Sequence, residues 1–257
     1  SQKFYFNKAD EEHLALLWAG IAVAMLSGIL SMLVRESAVA EKKRNARITK
    51  QKKSIIATLL EGIESVRQVH WFRQFIIARI LFLSIELAMP FYAILAAVEH
   101  VKTEDALGGF VIATSLGLML GGFFWQRLSP WPLRRIMSLG GLIALAAAMV
   151  ALLSHYGNPT SHWFYYDLVF FLIALADQGV ASTRKIYIAT LASAETRPYY
   201  IAVSDTLVGG AAVLFAFVLG ALAHFQHALW PILVLAGLNG LAALYAMRLE
   251  PIPAEKE

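Results

Sequence analysis

The sequence predicts an all-α integral membrane protein with seven transmembrane helices. Of its 257 residues, 58% are hydrophobic and only 16% charged, whereas soluble domains carry about 25% charged residues. The apolar excess falls in blocks of about 20 residues, the length that spans a hydrocarbon core of roughly 30 Å at helical rise. The charges collect in the polar stretches between blocks. Barrel strands would alternate over about 10 residues, and no segment does. This pattern excludes a soluble enzyme, a disordered chain, a nucleic-acid module and a disulfide-stapled secreted domain. With no cysteine in the chain, thiol catalysis, cysteine-ligated zinc and redox switching are excluded as well.

The blocks run in order. Leu14–Val34 is uninterrupted by charge. Phe75–Val98 is equally apolar but carries Arg79, Glu86 and Pro90. Ala106–Trp125 and Ile136–Leu153 come next, then Trp163 to Ala181, a helix that contains Asp167 and Asp177 and is expected to continue past Lys185. Tyr199–Ala223 carries Asp205 near its start, and Ala228–Met247 closes the set. The Gly117–Gly121 pair has the small-xxx-small spacing that lets helices approach closely. Gly209, Gly210, Gly220 and Gly237 are read the same way. Trp71, Trp125, Trp131, Trp163 and Trp230 fall at span ends, where an aromatic belt is expected.

Lysine and arginine placement orients the helices. Arg35, the Lys42–Lys53 cluster, Arg67, Arg73, Arg127, Arg134, Arg135, Arg184, Lys185, Arg197, Arg248 and Lys256 share one side, against Lys3, Lys8 and Lys102 on the other. The N-terminus is therefore expected outside and the C-terminus in the cytoplasm, in a bacterial inner (plasma) membrane. The pI of about 9.3 is then a topology signal, reinforced by anionic lipids. An outside N-terminus that begins at Ser1 without a signal peptide suggests a segment of a longer chain. Residues 1–34 read as a tail and first helix, 35–72 as a linker, 73–247 as a six-helix bundle and 248–257 as a tail. The linker starts as a basic run, AEKKRNARITKQKK. From a Ser54 N-cap it places Ile55, Leu59, Ile63 and Val66 at helical spacing, with Glu61, Glu64 and Arg67 opposite. That is an amphipathic helix on the membrane surface or against the bundle.

One helix, a long basic linker with a surface helix, then six helices: this layout resembles the C-terminal half (helices six to twelve) of a major facilitator superfamily transporter. The segment Gly121-Gly122-Phe-Phe-Trp125-Gln-Arg127-Leu128-Ser129-Pro-Trp-Pro-Leu-Arg134-Arg135 is similar to the family's signature loop. Arg127, Leu128, Arg134 and Arg135 fit, while Pro130 replaces an aspartate and Leu133 the turn glycine. Ala194-Glu195-Thr196-Arg197-Pro198 is similar to the loop after the family's tenth helix. The resemblance implies a six-helix bundle that works with a second one, absent from this chain, around a midplane site. It also implies a cytoplasmic gate, for which Arg127, Arg134, Arg135, Arg184, Glu195 and Arg197 are the candidates. For these loop and interface charges, plain topology and anchoring roles stand beside gating.

Ionisable groups inside a span cost several kcal/mol and usually face a cavity or a partner. Glu86 lies about 16 Å into its span at helical rise, and Arg79 sits two turns earlier on the same face. Pro90 clashes with the carbonyl of residue 86 and removes a donor, so a kink coincides with the carboxylate, as at transporter sites. Glu86 is read either as a proton- or substrate-linked carboxylate or as a structural partner of Arg79 or of another helix. Asp177 and Gln178 are candidates for cavity lining or for interhelical hydrogen bonding, and Tyr187 is a polar neighbour. Asp205 is read as a residue of the first turns of its helix, favoured by the dipole. His224 and His227 lack a nearby carboxylate, so no metal site is expected, and no cofactor either. With no nucleotide-cradling loop, zinc-protease motif or glycine-framed serine, an enzyme is not expected.

The expectation is therefore half of a secondary transporter that moves a small molecule by alternating access, with proton coupling as one option. The alternatives are a non-transporting scaffold or subunit of a larger membrane complex, and a membrane sensory module. The expected partners are membrane lipids, a small-molecule substrate and a second bundle, not nucleic acid.

Overall fold

The computed structural model describes residues 64–99, 105–156, 162–226 and 229–251, together with Met25 and Gly62. The first apolar block, Met25 apart, and the basic run from Glu41 to Lys53 lie outside the described residues. So do Ser54, Ile55, Leu59, Glu61, Ile63, His227 and the side chain of Trp163. The chain divides into two units, Ser1–Ile55 and Ile56–Glu257.

The second unit is helical, with no strand among the described residues: α1 (His70–Glu86), α2 (Ala88–Glu99), α3 (Asp105–Arg127), α4 (Leu133–Tyr156), α5 (His162–Leu191), α6 (Arg197–Gln226) and α7 (Leu229–Ala246). Together α1 and α2 make one span, so six helices among the described residues are long and apolar enough to cross a membrane. The protein is therefore an integral membrane protein. In hydrocarbon every backbone group must bond internally, and a run of apolar residues meets that demand only as a helix. The helices overrun the apolar blocks: α5 continues to Leu191 and α6 begins at Arg197, because terminal Arg and Lys residues can extend their charge toward water.

The α1–α2 break falls at Leu87, whose N–H still donates to Leu83 O at 2.9 Å. Its backbone sits at φ −94°, ψ 0°, and Pro90, one turn on, has no N–H to offer the Glu86 carbonyl. Between α3 and α4 the chain turns within Leu128–Pro132. Leu128 N–H donates to Trp125 O, Ser129 N–H to Gln126 O and Trp131 N–H to Leu128 O.

α5 packs between α3 and α4, α7 lies on α4 and α1, and α6 rests on α1 and α7. Helices in lipid gain little from apolar contact alone, so close packing of small residues matters. On α4, Ala144, Ala147, Ala148 and Ala151 are fully buried, as are Ala242 and Ala246 on α7. A Cβ on Gly141 would stand 3.0 Å from Ala243. Likewise a Cβ on Gly117 would stand 2.5 Å from Phe171 O of α5, so the predicted close approach of α3 holds. Gly209, Gly210, Gly220 and Gly237 do not act in this way: a Cβ on any of them meets nothing within 4 Å. Those on α6 lie on the face that this unit leaves uncovered, where glycine has no helix to admit.

Trp125 also departs from the expected belt. It is buried, its indole N–H donates to Leu175 O at 2.7 Å, and its ring lies against Gly179. Trp131 and Trp230 are exposed at helix ends, as a belt residue should be, whereas Trp71 is half-buried against Phe72 and Tyr200. Residues 64–68 are helical and belong to the bundle. Val66 packs on the core, Ser65 Oγ meets the Tyr199 hydroxyl at 3.0 Å, and Glu64 and Arg67 are exposed.

Candidate functional site

The N-terminal part of α1, the C-terminal part of α5 and the start of α6 enclose a cleft of about 360 Å³. Its lining is Phe75, Arg79, Arg184, Lys185, Ile188, Ala189, Arg197, Ile201 and Asp205. Four cations and one carboxylate on segments otherwise apolar enough to cross a membrane are an expensive arrangement. The structure offsets that cost with two ion pairs, both made by α1.

The first joins α1 to α6. Arg79 Nη1 donates to Asp205 Oδ1 at 2.7 Å and to Ser204 Oγ at 2.6 Å. The guanidinium stem is nearly buried while Asp205 is mostly open to the cleft, at 12% and 61% side-chain exposure. Its carbon lies 6.0 Å from the centre of the Phe75 ring, within cation–π range. The second pair joins α1 to α5: Arg184 Nη1 donates to Glu86 Oε1. Asp177, two turns before Arg184 on α5, lies within electrostatic reach of both Glu86 and Arg184. Asp177 makes no ion pair among the described residues; it stands near the Glu86–Arg184 pair without joining it. Each pair holds α1 to a neighbour, so the charges act as fasteners as well as cleft lining.

Arg197 has a different task. Its Nη2 donates to Ala189 O at 2.5 Å and contacts Ala192 O at 3.5 Å, capping the last turn of α5 where carbonyls lack partners. Lys185 is exposed and makes no ion pair among the described residues.

Several residues singled out from the sequence lie elsewhere. Glu86 and Arg79 share a helix but not a bond, since two turns of rise, about 10 Å, separate them. Asp205 is the ninth residue of α6, not part of its first turn; it serves Arg79 instead of the helix end. Gln178 packs its Cβ and Cγ toward Gly121 of α3, outside the cleft. Tyr187 is buried behind the cleft wall, stacked on Phe75 with ring centres 5.5 Å apart, its hydroxyl donating to Glu250 O at 3.3 Å. Of the gate candidates, Arg184 and Arg197 line the cleft. Arg127, Arg134, Arg135 and Glu195 do not, and none of these four makes an ion pair among the described residues.

No family model matches the chain, and no solved structure does. It is similar to three mycobacterial proteins described as uncharacterised: Rv2209 and MT2265 of Mycobacterium tuberculosis and Mb2232 of Mycobacterium bovis. Each is 26% identical over 235 residues, which cover 91% of this chain and 44% of the relative. The chain thus spans less than half the length of these curated relatives.

Sequence reasoning missed Lys185 as a cleft residue, having used it only to orient the helices, and Ser204 altogether. The signal for the Arg79–Asp205 pair was present: two opposite charges within spans, each needing a partner. What the sequence lacks is the order of helices around the bundle, which decides the pairing.

Proposed function

We propose that the chain is half of a secondary transporter, similar in layout to the C-terminal bundle of the major facilitator superfamily, moving a small molecule by alternating access. One observation carries this reading. Glu86, Arg184 and Asp177 cluster beside the helix break at Leu87, next to a cleft framed by α1, α5 and α6. A broken helix with ionisable groups beside a cavity is how transporters assemble substrate and ion sites. Asp177 is a second carboxylate near the Glu86–Arg184 pair with no ion pair of its own among the described residues, which leaves the cluster a place for a coupling proton. The partner is a second bundle over α6, whose open face includes Asp205 and Thr206; polar groups on that face are better covered by protein than by lipid. The C-terminus is cytoplasmic in this reading, and the protein resides in a bacterial inner membrane.

Proteoliposomes holding a pH-sensitive dye test the proposal against a panel of sugars, amino acids, organic anions and lipophilic drugs. Wild-type protein is expected to give proton flux that depends on at least one solute class, and Glu86→Gln to abolish it. Unchanged flux in Glu86→Gln removes Glu86 from the mechanism. Absence of solute-dependent flux across the panel favours a non-transporting scaffold.

A further inference from the structure

We propose that the cleft binds an oxyanion, a phosphate or carboxylate group carried on an apolar body. This rests on the reading of the cleft as a substrate site and deepens it by naming a chemical class.

The charge count is the first argument. Arg79 is balanced by Asp205 and Arg184 by Glu86. Arg197 and Lys185 then remain as two uncompensated positive charges among the lining residues. Arg197 is committed to the carbonyls at the end of α5. Lys185, with three donors and no partner among the described residues, is the group left to meet a ligand. The second argument is donor inventory. Arg79 uses Nη1 for both of its contacts, and Arg184 uses Nη1 for Glu86. The remaining donors of both guanidiniums make no hydrogen bond among the described residues, and Arg79 Nε is buried without an acceptor. Guanidinium and ammonium groups together recognise phosphate and carboxylate oxygens in charge-assisted bonds. The start of α6, a 30-residue helix, adds its positive dipole end at Arg197. The third argument is shape. Phe75, Ile188, Ala189 and Ile201 make the rest of the wall, and about 360 Å³ suits a small ligand with an apolar portion. A soluble organic anion and an anionic lipid headgroup share this chemistry.

Phenyl phosphate titrated by calorimetry into the 257-residue chain in phosphatidylcholine nanodiscs tests the inference. Saturable, salt-sensitive binding is expected. Lys185→Gln should weaken it about ten-fold, the loss of one charge-assisted contact, while Lys185→Arg retains it. Arg248→Gln, an exposed cation outside the cleft, should leave it unchanged, and melting curves verify that each variant folds. In nanodiscs with one-quarter phosphatidylglycerol, Lys185-dependent competition identifies a lipid headgroup as the natural occupant; unchanged phenyl phosphate affinity identifies a soluble anion. Two results overturn the proposal: no saturable binding together with no Lys185-dependent preference for anionic lipid, or equal binding of benzyltrimethylammonium. Phenyl phosphate binding without solute-linked proton flux keeps the oxyanion site and removes transport. Flux driven by a cationic or neutral solute, with no oxyanion binding, does the reverse.

Discussion

Gly179→Ala is the sharpest test of the packing that holds the bundle together. A methyl at this position on α5 would stand 2.2 Å from Trp125 Cε2, 2.4 Å from Cζ2 and 2.6 Å from Cδ2. To restore ordinary contact the indole must retreat by about 1 Å, and it is not free to do so. Its Nε1–H is bonded to Leu175 O at 2.7 Å, one turn before Gly179 on the same helix, so a retreat from α5 stretches that bond past its useful range. Overpacking costs about 1–3 kcal/mol and the lost hydrogen bond about 0.5–1.5 kcal/mol. Alanine's better helix propensity returns up to about 1 kcal/mol. The expected net loss is about 1–3 kcal/mol.

The measurement is the midpoint of reversible SDS unfolding in mixed micelles, with Gly210→Ala as the internal comparison. A Cβ at Gly210 meets nothing within 4 Å, so that variant should unfold with wild type or slightly later. Trp125→Leu in the Gly179→Ala background should recover part of the loss, because the aliphatic side chain can yield where the ring cannot. Equal midpoints for the two glycine variants, or strict additivity with Trp125→Leu, would refute the argument that a rigid ring seated on Gly179 sets the α3–α5 distance.

The polar links give two more expected outcomes. A double-mutant cycle on Glu86→Gln and Arg184→Gln should give a coupling of about 1 kcal/mol, modest because both side chains are partly solvated. Arg184→Gln alone should be worse than the double variant, since it strips Glu86 of its cation and leaves it near Asp177; a double variant less stable than either single one contradicts the pairing. At the buried link where Ser84 Oγ donates to Asn239 Oδ1 at 2.5 Å, Ser84→Ala should cost about 1–3 kcal/mol by leaving a buried amide unpaired. Asn239→Leu should cost less, about 0.6 kcal/mol, the mean for an interhelical bond in a membrane; unfolding midpoints in the reverse order would show that the amide is satisfied elsewhere.

The spans were legible because lipid leaves an apolar run of this length one backbone solution, and the break near Glu86 was legible because Pro90 cannot bond to its carbonyl. Partners were less legible. Arg79 and Glu86 look paired along the sequence, yet side chains two turns apart on one helix do not touch, and each finds its counterpart on a different helix. Glycine was ambiguous for a related reason. Gly117 admits α5 and Gly210 admits nothing, though their sequence surroundings read alike. Trp125 lies at a span end and still turns inward, because Gly179 opens a slot that only the folded α3–α5 pair reveals.

The two ion pairs differ in a way that assigns them different duties. Arg79–Asp205 places its carboxylate largely in the open cleft, whereas in Glu86–Arg184 both partners are mostly covered. Salt and solvent screen the first more than the second, so the first is the easier to exchange. An oxyanion bound as proposed beside Lys185 would compete with Asp205 for Arg79 at little cost, since Asp205 can be resolvated as it leaves. Displacing Glu86 from Arg184 would leave a half-covered carboxylate near Asp177, a costlier exchange than the first unless a proton arrives. In the proposed transport cycle, ligand exchange at Arg79 and proton exchange at Glu86 would fall on the same helix, two turns apart, with the Leu87 break just beyond. A shift of α1 would move both pairs at once, and that shared strut is the physical route the proposed coupling of ligand and proton would take.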